Sequence, residues 1–580
     1  MFGWHGRLLQ VDLSAGRART ESLPEEWLHH YLGGRGIAVR LFRDFFQTEP
    51  YSPEMPLIFA TGPLCATAAP TAERMAVVSR SPLTRTLYDC SVGGRFAQQL
   101  KCAGFDVVQI VGRAAVPMVL AITPSGAELL PADSLWGSTV PTTIAALNGR
   151  GSVVAIGPAG EHLVPFATII TDDGNAADRG GLGAVMGSKR LKAVVVSGAK
   201  LPEIADPARF ERAHNDILRL FRAAPVLFGE LGFGAYGTPT LVDLLAQRRM
   251  TPTENFRKTF FAAAANYSGP ALRAAYAPHK VGCCGCPLQC QKVTADGAYL
   301  PGYEALSHFG ALNNIGDLAA IITAIRTCHE LGLDPVSAAA TLATWGEVRG
   351  AFVTEAELVP LLRDLVWRRG AGEPLCVGSR QLALAAGKPE VSMSVKGLEL
   401  PAYDPRGAYG MALAYCTNNH GGCHLGAYPL AHEILRKPAP TDRFSFAGKA
   451  RMIKIAEDIN AAVDSLVACK FAFLGAGIEE YAELLAAVTG VDFTPERLKE
   501  IGECIYLTER WYNDVNGFSV IDDCLPERFF REAGSRGDGI EVPPLDRARF
   551  DEELQKYYRM RGLDAHGRFV DRNFLVSLTC

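Results

Sequence analysis

Net charge is nearly absent. Lys and Arg number 58 against 62 Asp and Glu, which leaves the 580-residue chain at −4. No basic field is available to hold nucleic acid, so that class of function is excluded. No uninterrupted apolar stretch is long enough to span a bilayer. The start, MFGWHGR, has no basic region followed by an apolar one, which predicts a cytoplasmic protein rather than an exported one. Internal repeats and low-complexity segments are missing. Strand–helix alternation of the doubly wound kind is missing too, so no Rossmann domain is expected. Without an export signal, the 15 cysteines do not read as a disulfide framework. Most are solitary (Cys65, Cys90, Cys102, Cys328, Cys376, Cys416, Cys504, Cys524 and Cys580) and read as reduced thiols, several of them core fillers, in an anaerobic or strongly reducing setting.

Four other cysteines form a pattern. Cys283, Cys286 and Cys290 lie in the run VGCCGCPLQC with spacing C-x2-C-x3-C, and Cys469 stands far downstream. Four thiolates converging on one point suit a [4Fe–4S] cluster. A four-cysteine zinc site usually shows two symmetric C-x2-C knuckles, and that symmetry is not here. Radical S-adenosylmethionine enzymes use the reverse spacing. Gly282, Gly285 and Pro287 keep the loop tight. Cys284 is an extra thiol outside the set.

Hydrophobic residues make up 48% and charged residues 21%, as in a compact folded chain, and 580 residues exceed what one core accommodates. The fold class expected is α+β. Residues 1–205 read as a β-rich domain, with short β-branched runs at Phe105–Val111, Met118–Ile122, Val153–Ile156 and Ala193–Val196 between glycine-dense turns. After Leu201-Pro202 the pattern becomes helical. Residues 206–395 form a second, mainly helical domain carrying the cysteine loop. Residues 396–580 form a third, opened by the extended stretch KGLELPAYDPRG and carrying Cys469. Helices are predicted at Asp317–Leu331, with Asp317 as N-cap and Gly332 as C-terminal stop, at Gly448–Phe473 and at Pro495–Asn513. Asp334-Pro335 opens a further helix.

The chain resembles the tungsten-containing aldehyde:ferredoxin oxidoreductases from end to end. The resemblance rests on GRLLQVDL (6–13), Gly33-Gly34-Arg35-Gly36, SPLT (81–84), Gly93-Gly94 leading to KCAGFD (101–106), IGPAG (156–160), GAVMGSK (183–189), the cysteine loop, the 396–407 stretch with YDPRG, and GGCH (421–424). It implies a β-rich base domain followed by two helical domains. It also implies one tungsten, or molybdenum, held by the dithiolenes of two pterins. Mg2+ bridges the pterin phosphates, and one [4Fe–4S] cluster lies alongside. No protein side chain need ligate the tungsten.

Carried over residue by residue, the resemblance implies that Arg74 lies between cofactor and cluster, where its planar fork suits phosphate. Ser91, ahead of Gly93 and Gly94, and the turn Arg179-Gly180-Gly181 match segments near the magnesium and phosphates. Pterin rings are bound in the family by Asp-x-x-Gly-Leu-(Asp/Cys). Here the first such segment reads HELGLD (329–334), with His329 in place of the leading Asp. The second reads DSLVAC (464–469), with Val-Ala in place of Gly-Leu. Asp334 and Asp464 are therefore the pterin candidates, Asp334 being also a plausible helix cap. Glu304 and His424 match the side chains next to the substrate. A carboxylate there activates water, and an imidazole bonds the carbonyl oxygen and moves a proton. His308 and His420 are nearby alternatives. In a helix, His420 and His424 would share one face.

The activity implied is conversion of aldehydes to carboxylates, or the reverse. Electrons would leave through the cluster to ferredoxin or an iron–sulfur subunit, with a flavin/NAD subunit in some complexes, and the chain would work as an oligomer or complex. One rival is a benzoyl-CoA-type reductase of aromatic acyl thioesters, whose metal often gains a cysteine ligand, for which Cys328, Cys416 and Cys423 are available. The other is a non-catalytic electron-transfer subunit.

Overall fold

A computed structural model describes residues 1–571; Cys580 lies outside the described residues. Twelve strands fall before residue 197 and form two six-stranded sheets. The first runs in the order β2(Arg17–Ser22)–β1(Arg7–Asp12)–β6(Val107–Val111)–β3(Leu57–Ala60)–β4(Arg74–Arg80)–β5(Leu87–Gly93). The second runs β11(Ala176–Ala177)–β10(Ile169–Thr171)–β9(Ser152–Ala155)–β12(Leu191–Val196)–β7(Met118–Thr123)–β8(Gly126–Pro131). Pairing is antiparallel except at β1–β6 and β12–β7, so neither sheet is doubly wound. The central strands β3, β9 and β12 are buried along their whole length, as their continuous β-branched and apolar runs require.

The expected strand at Phe105 starts two residues later. Asp106 turns its carboxylate to the backbone N–H of Gly6 at 2.6 Å and to Lys101 Nζ at 2.5 Å, anchoring the chain before β6 begins. Short helices α1(Gly34–Phe42), α2(Arg95–Cys102) and α3(Leu182–Ser188) pack among the strands. The β-rich segment thus carries more helix than its composition suggested.

From Pro207 onward the chain is mostly helical. Three helices position the site. α4(Tyr303–Phe309) follows the cysteine loop. α5(Leu318–Leu331) is capped by Asp317, which accepts from Ala320 N–H, and Gly332 closes it at φ 73°. α6(Pro335–Arg349) is capped by Asp334 through Val336 and Ser337 N–H. Its small residues (SAAATLAT) allow burial on nearly every side. Beyond the two-residue strands β15(Ser394–Val395) and β16(Leu398–Glu399), the long helices α7(Lys449–Ser465) and α8(Pro495–Val515) lie against each other and α1. The cysteine loop hangs between β13(His279–Val281) and β14(Gln291–Val293), an isolated two-stranded ribbon. Among the described residues no helix is long and apolar enough to cross a membrane.

Candidate functional site

Cys283, Cys286, Cys290 and Cys469 line one cavity of about 170 Å3, together with Arg74 and Glu73. Three come from the loop between β13 and β14, and the fourth follows α7. Burial pushes the thiols of Cys283 and Cys290 up, to about 11 and about 12, and that of Cys286 up as well, and each thiolate raises its neighbours further. Burial thus favours the protonated thiols at Cys283, Cys286 and Cys290, and a metal centre must displace those protons. The Arg74 guanidinium lies beside Cys469 and Cys283 and donates to the Ser91 hydroxyl at 2.7 Å and the Ser91 carbonyl at 2.5 Å. A Cβ on Gly93 would lie 2.5 Å from Cys283 Sγ, so only glycine lets β5 pass this close to the thiolates. Enclosed thiols with one buried cation fit a four-iron cluster. Cys284 shares the cavity wall and donates to the Gln98 side chain at 3.3 Å. Thirteen cysteines carry free thiols among the described residues; Cys504 does not.

Next to this cavity lies a second, of about 340 Å3, bounded by Asn175, Asp178, Cys290, Glu304, His329 and Val336 among others. Near the two cavities several buried polar atoms have no hydrogen-bond partner: Asp178 Oδ1, Arg179 Nε, Glu304 Oε1, His424 Nδ1 and Asp464 Oδ1. Buried polar groups are ordinarily hydrogen-bonded, so a mixed set of orphaned donors and acceptors marks the place of a polar group. Fused heterocycles with ring N–H groups and attached phosphates fit that set. Burial, and then the charge of Asp334, raise Asp178 to about 7.

The predicted cofactor residues also make contacts within the protein. Arg179 faces Asp334 at 3.4 Å and donates to the Glu399 carbonyl at 2.5 Å. Asp334 already accepts two backbone N–H groups as a cap, at 3.1 Å each, so its carboxylate is largely engaged within the protein. Asp464 accepts from Lys470 at 2.7 Å and Arg35 at 3.3 Å through Oδ2 and leaves Oδ1 free. Gly94 lies against Asp173 and Gly180 against the Tyr88 ring, and Gly181 adopts a left-handed φ of 75° against the Pro165 carbonyl. These contacts account for the glycines through the chain's own packing.

Glu304 and His424 meet. Glu304 Oε1 lies 3.6 Å from His424 Nε2, and Glu304 Oε2 accepts from Ala402 N–H at 2.8 Å. The Tyr403 and Tyr428 rings lie against His424 at 5.1 and 5.9 Å, both tilted to it, and meet each other edge-on at 6.1 Å. Burial raises the Glu304 carboxyl to about 7. Burial, and then the charges of Arg179, Lys470 and His308, hold His424 down at about 3, so the ring is neutral. His308 turns both ring nitrogens to backbone carbonyls, of Glu304 and Leu400, and is a structural residue.

His420 is elsewhere. The helix Tyr409–Thr417 ends before it, so the two imidazoles do not share a helical face. His420 stacks on Tyr88 at 4.6 Å, and its Nε2 lies 2.8 Å from Asp89 Oδ1. Asp89, His420 and Glu509 cluster as a metal triad would. The cation among these carboxylates is Arg35, bonded to Glu509 at 2.5 and 2.7 Å and near Asp89 at 3.2 Å. Burial lowers His420, but Asp89, Cys423 and Glu509 together outweigh it and raise the ring to about 9. Cys423 is raised by burial but pulled below its usual range by His420. Cys328 is buried in α5, and Cys416 is buried beside Lys396, whose Nζ donates to the Cys416 carbonyl. Of the three spare cysteines, Cys423 lies near Arg179 and Tyr88, and Cys328 lies near Asp334 and Asp178. Sequence reading missed Asp178, Asp89 and the role of Arg35. The GGRG run was the only signal for Arg35, and nothing local marks its distant partners.

The family profile described as "Aldehyde ferredoxin oxidoreductase, N-terminal domain" matches residues 8–198, and "Aldehyde ferredoxin oxidoreductase, domains 2 & 3" matches residues 212–574. The tungsten-containing aldehyde ferredoxin oxidoreductase of Pyrococcus furiosus is 39% identical, covering 98% of both chains. That of Thermococcus kodakarensis is 38% identical with the same coverage. The WOR-like subunit of an aliphatic sulfonate oxidoreductase of Pyrococcus furiosus is 26% identical over 98% of this chain and 96% of its own. Among solved structures, the active site complex BamBC of benzoyl coenzyme A reductase superposes with a TM-score of 0.85 at 23% identity, over 100% of this chain and 97% of that one, which shows a common fold.

Proposed function

The chain belongs to the aldehyde ferredoxin oxidoreductase family, and from that premise we propose that it converts aldehydes to carboxylates, or the reverse, and passes the electrons through one [4Fe–4S] cluster to a ferredoxin-type acceptor. The observation that carries this reading is the Glu304–His424 pair, enclosed by tyrosines, with one atom of each side chain unpartnered.

Cys283, Cys286, Cys290 and Cys469 would hold the cluster. Arg74, Ser91, Arg179 and Asp464 would border a tungsten-pterin group and its phosphates, with Mg2+ as a companion ion. That group, when bound, supplies acceptance of two electrons from the substrate. The chain's own residues do the rest. Near neutral pH Glu304 is close to its midpoint, and so takes a proton from the water that adds to the carbonyl carbon. His424, kept neutral, donates to the carbonyl oxygen as charge builds there and exchanges the proton with Glu304 across 3.6 Å. Tyr403 and Tyr428 exclude bulk water from the pair.

Anaerobically purified protein is expected to contain tungsten and iron and to reduce a viologen dye with aldehydes. Iron without tungsten, together with no aldehyde-dependent dye reduction, would leave only an electron-transfer subunit.

A further inference from the structure

We propose that the surface over the cysteine loop is the landing site of a small acidic one-electron carrier protein, with Leu231 and Phe228 as its apolar centre and Arg273 and Lys280 as its cationic flank. The proposal rests on the reading of the four cysteines as a cluster site.

The loop is uncovered at its tip: Gly282, Gly285 and Gln289 are exposed, and nothing lies within 4 Å of a Cβ placed on Gly285. Electrons leaving a cluster here meet solvent within one layer of backbone. Lys280 on β13 is paired directly with Lys292 on β14. Like charges opposite one another weaken a ribbon. No carboxylate compensates: Arg273, Lys280 and Lys292 enter no salt bridge among the described residues, although they border one cavity mouth with Cys290. Lys292 is turned inward, donating to the carbonyls of Gln289, Cys290 and Gln291. Arg273 is fixed over the Tyr236 ring at 4.1 Å and donates to the Ala235 carbonyl. Arg273 and Lys280 remain exposed. A patch of unpaired cations on a chain of net charge −4 is a local arrangement, not a general excess.

The apolar component is adjacent. Gly234 packs on Leu288 and Gly237 on the Cys290 carbonyl, which seats the segment 228–237 against the loop. Within it Leu231 is 71% exposed and Phe228 39%. Glu230 is its single carboxylate. An apolar centre with a charged margin is the usual anatomy of a transient interface, and the charge selects an acidic partner. Each encounter moves one electron: the reduced cluster is oxidised by one equivalent and the carrier reduced by one. A two-electron substrate oxidation therefore needs two encounters.

The test uses full-length, cluster-loaded protein reduced with dithionite and mixed anaerobically with a purified acidic [4Fe–4S] ferredoxin. Cluster reoxidation is followed by visible absorbance at several salt concentrations. In the Arg273→Glu/Lys280→Glu protein the second-order rate at low salt is expected to fall roughly 10-fold or more, with a flattened or inverted salt dependence, as for loss of electrostatic steering. Leu231→Asp is expected to slow transfer at every salt concentration, and reoxidation by a small neutral quinone is expected to be unchanged in all variants. Unchanged ferredoxin rates in both variants, with full iron content, would overturn the surface alone. Wild-type protein without iron would overturn the cluster reading and this surface with it.

Discussion

Glu304 owes its chemistry to desolvation. A carboxyl kept near pH 7 is a weak base below that pH and a competent one above it. If ionised Glu304 is required, kcat/KM rises with pH through about 7, on an acid limb that the free enzyme's titration sets. Glu304→Gln is expected to lower kcat by roughly 10²–10⁴ with tungsten and iron unchanged and to abolish that limb. Near-normal turnover in fully metallated Glu304→Gln protein would remove the residue from the mechanism. His424→Ala is expected to lower kcat/KM much more than His308→Ala does, because His308 faces two carbonyls and His424 faces the carboxylate. The reverse ranking would place the acid–base pair on the wrong ring. Sequence reading reached Glu304 and His424 through motifs. Only the family match set His424 above His420, since both lie in one glycine- and asparagine-rich stretch whose geometry is set by tertiary contacts.

At the scale of elements, local chemistry was legible and long-range approach was not. Asp317, Gly332 and Asp334 declare helix ends by capping, an interaction confined to a few neighbouring residues. Gly93 reads as a turn glycine, yet its constraint is a sulfur atom 190 residues downstream. Gly93→Ala is therefore expected to lower iron content although every cysteine remains, and Cys469→Ala to lose or degrade the cluster. Cys284→Ala is expected to retain the about four irons per chain that a cubane requires. Full iron in Gly93→Ala protein would show that β5 or the loop moves aside freely, and an intact cluster in Cys469→Ala would mean another fourth ligand.

Over the whole molecule, charge is concentrated where water is not. Asp89 and His420 form part of a buried set with Arg35, Asp464 and Glu509. His420 has a folded value of about 9, above the unfolded range near 6.5. A raised value means that its stabilising contribution is complete below pH 6.5 and is lost as pH climbs through 9. Thermal stability of wild-type protein relative to His420→Gln is expected to be greatest near pH 6 and to shrink toward pH 9.5. A gap independent of pH would mean that the ring is neutral in the folded protein.

Arg35 has a further consequence, in the order of synthesis. Its partners Asp464 and Glu509 lie 429 and 474 residues downstream. A ribosome delivers the amino-terminal sheets long before either carboxylate exists. Through that interval the guanidinium has Asp89 as its only acidic partner from this set and must remain hydrated, because an under-compensated buried charge is costly. The junction between α1, α7 and α8 thus cannot close before α8 is made. The amino-terminal sheets keep this arginine in water until α8 has been made.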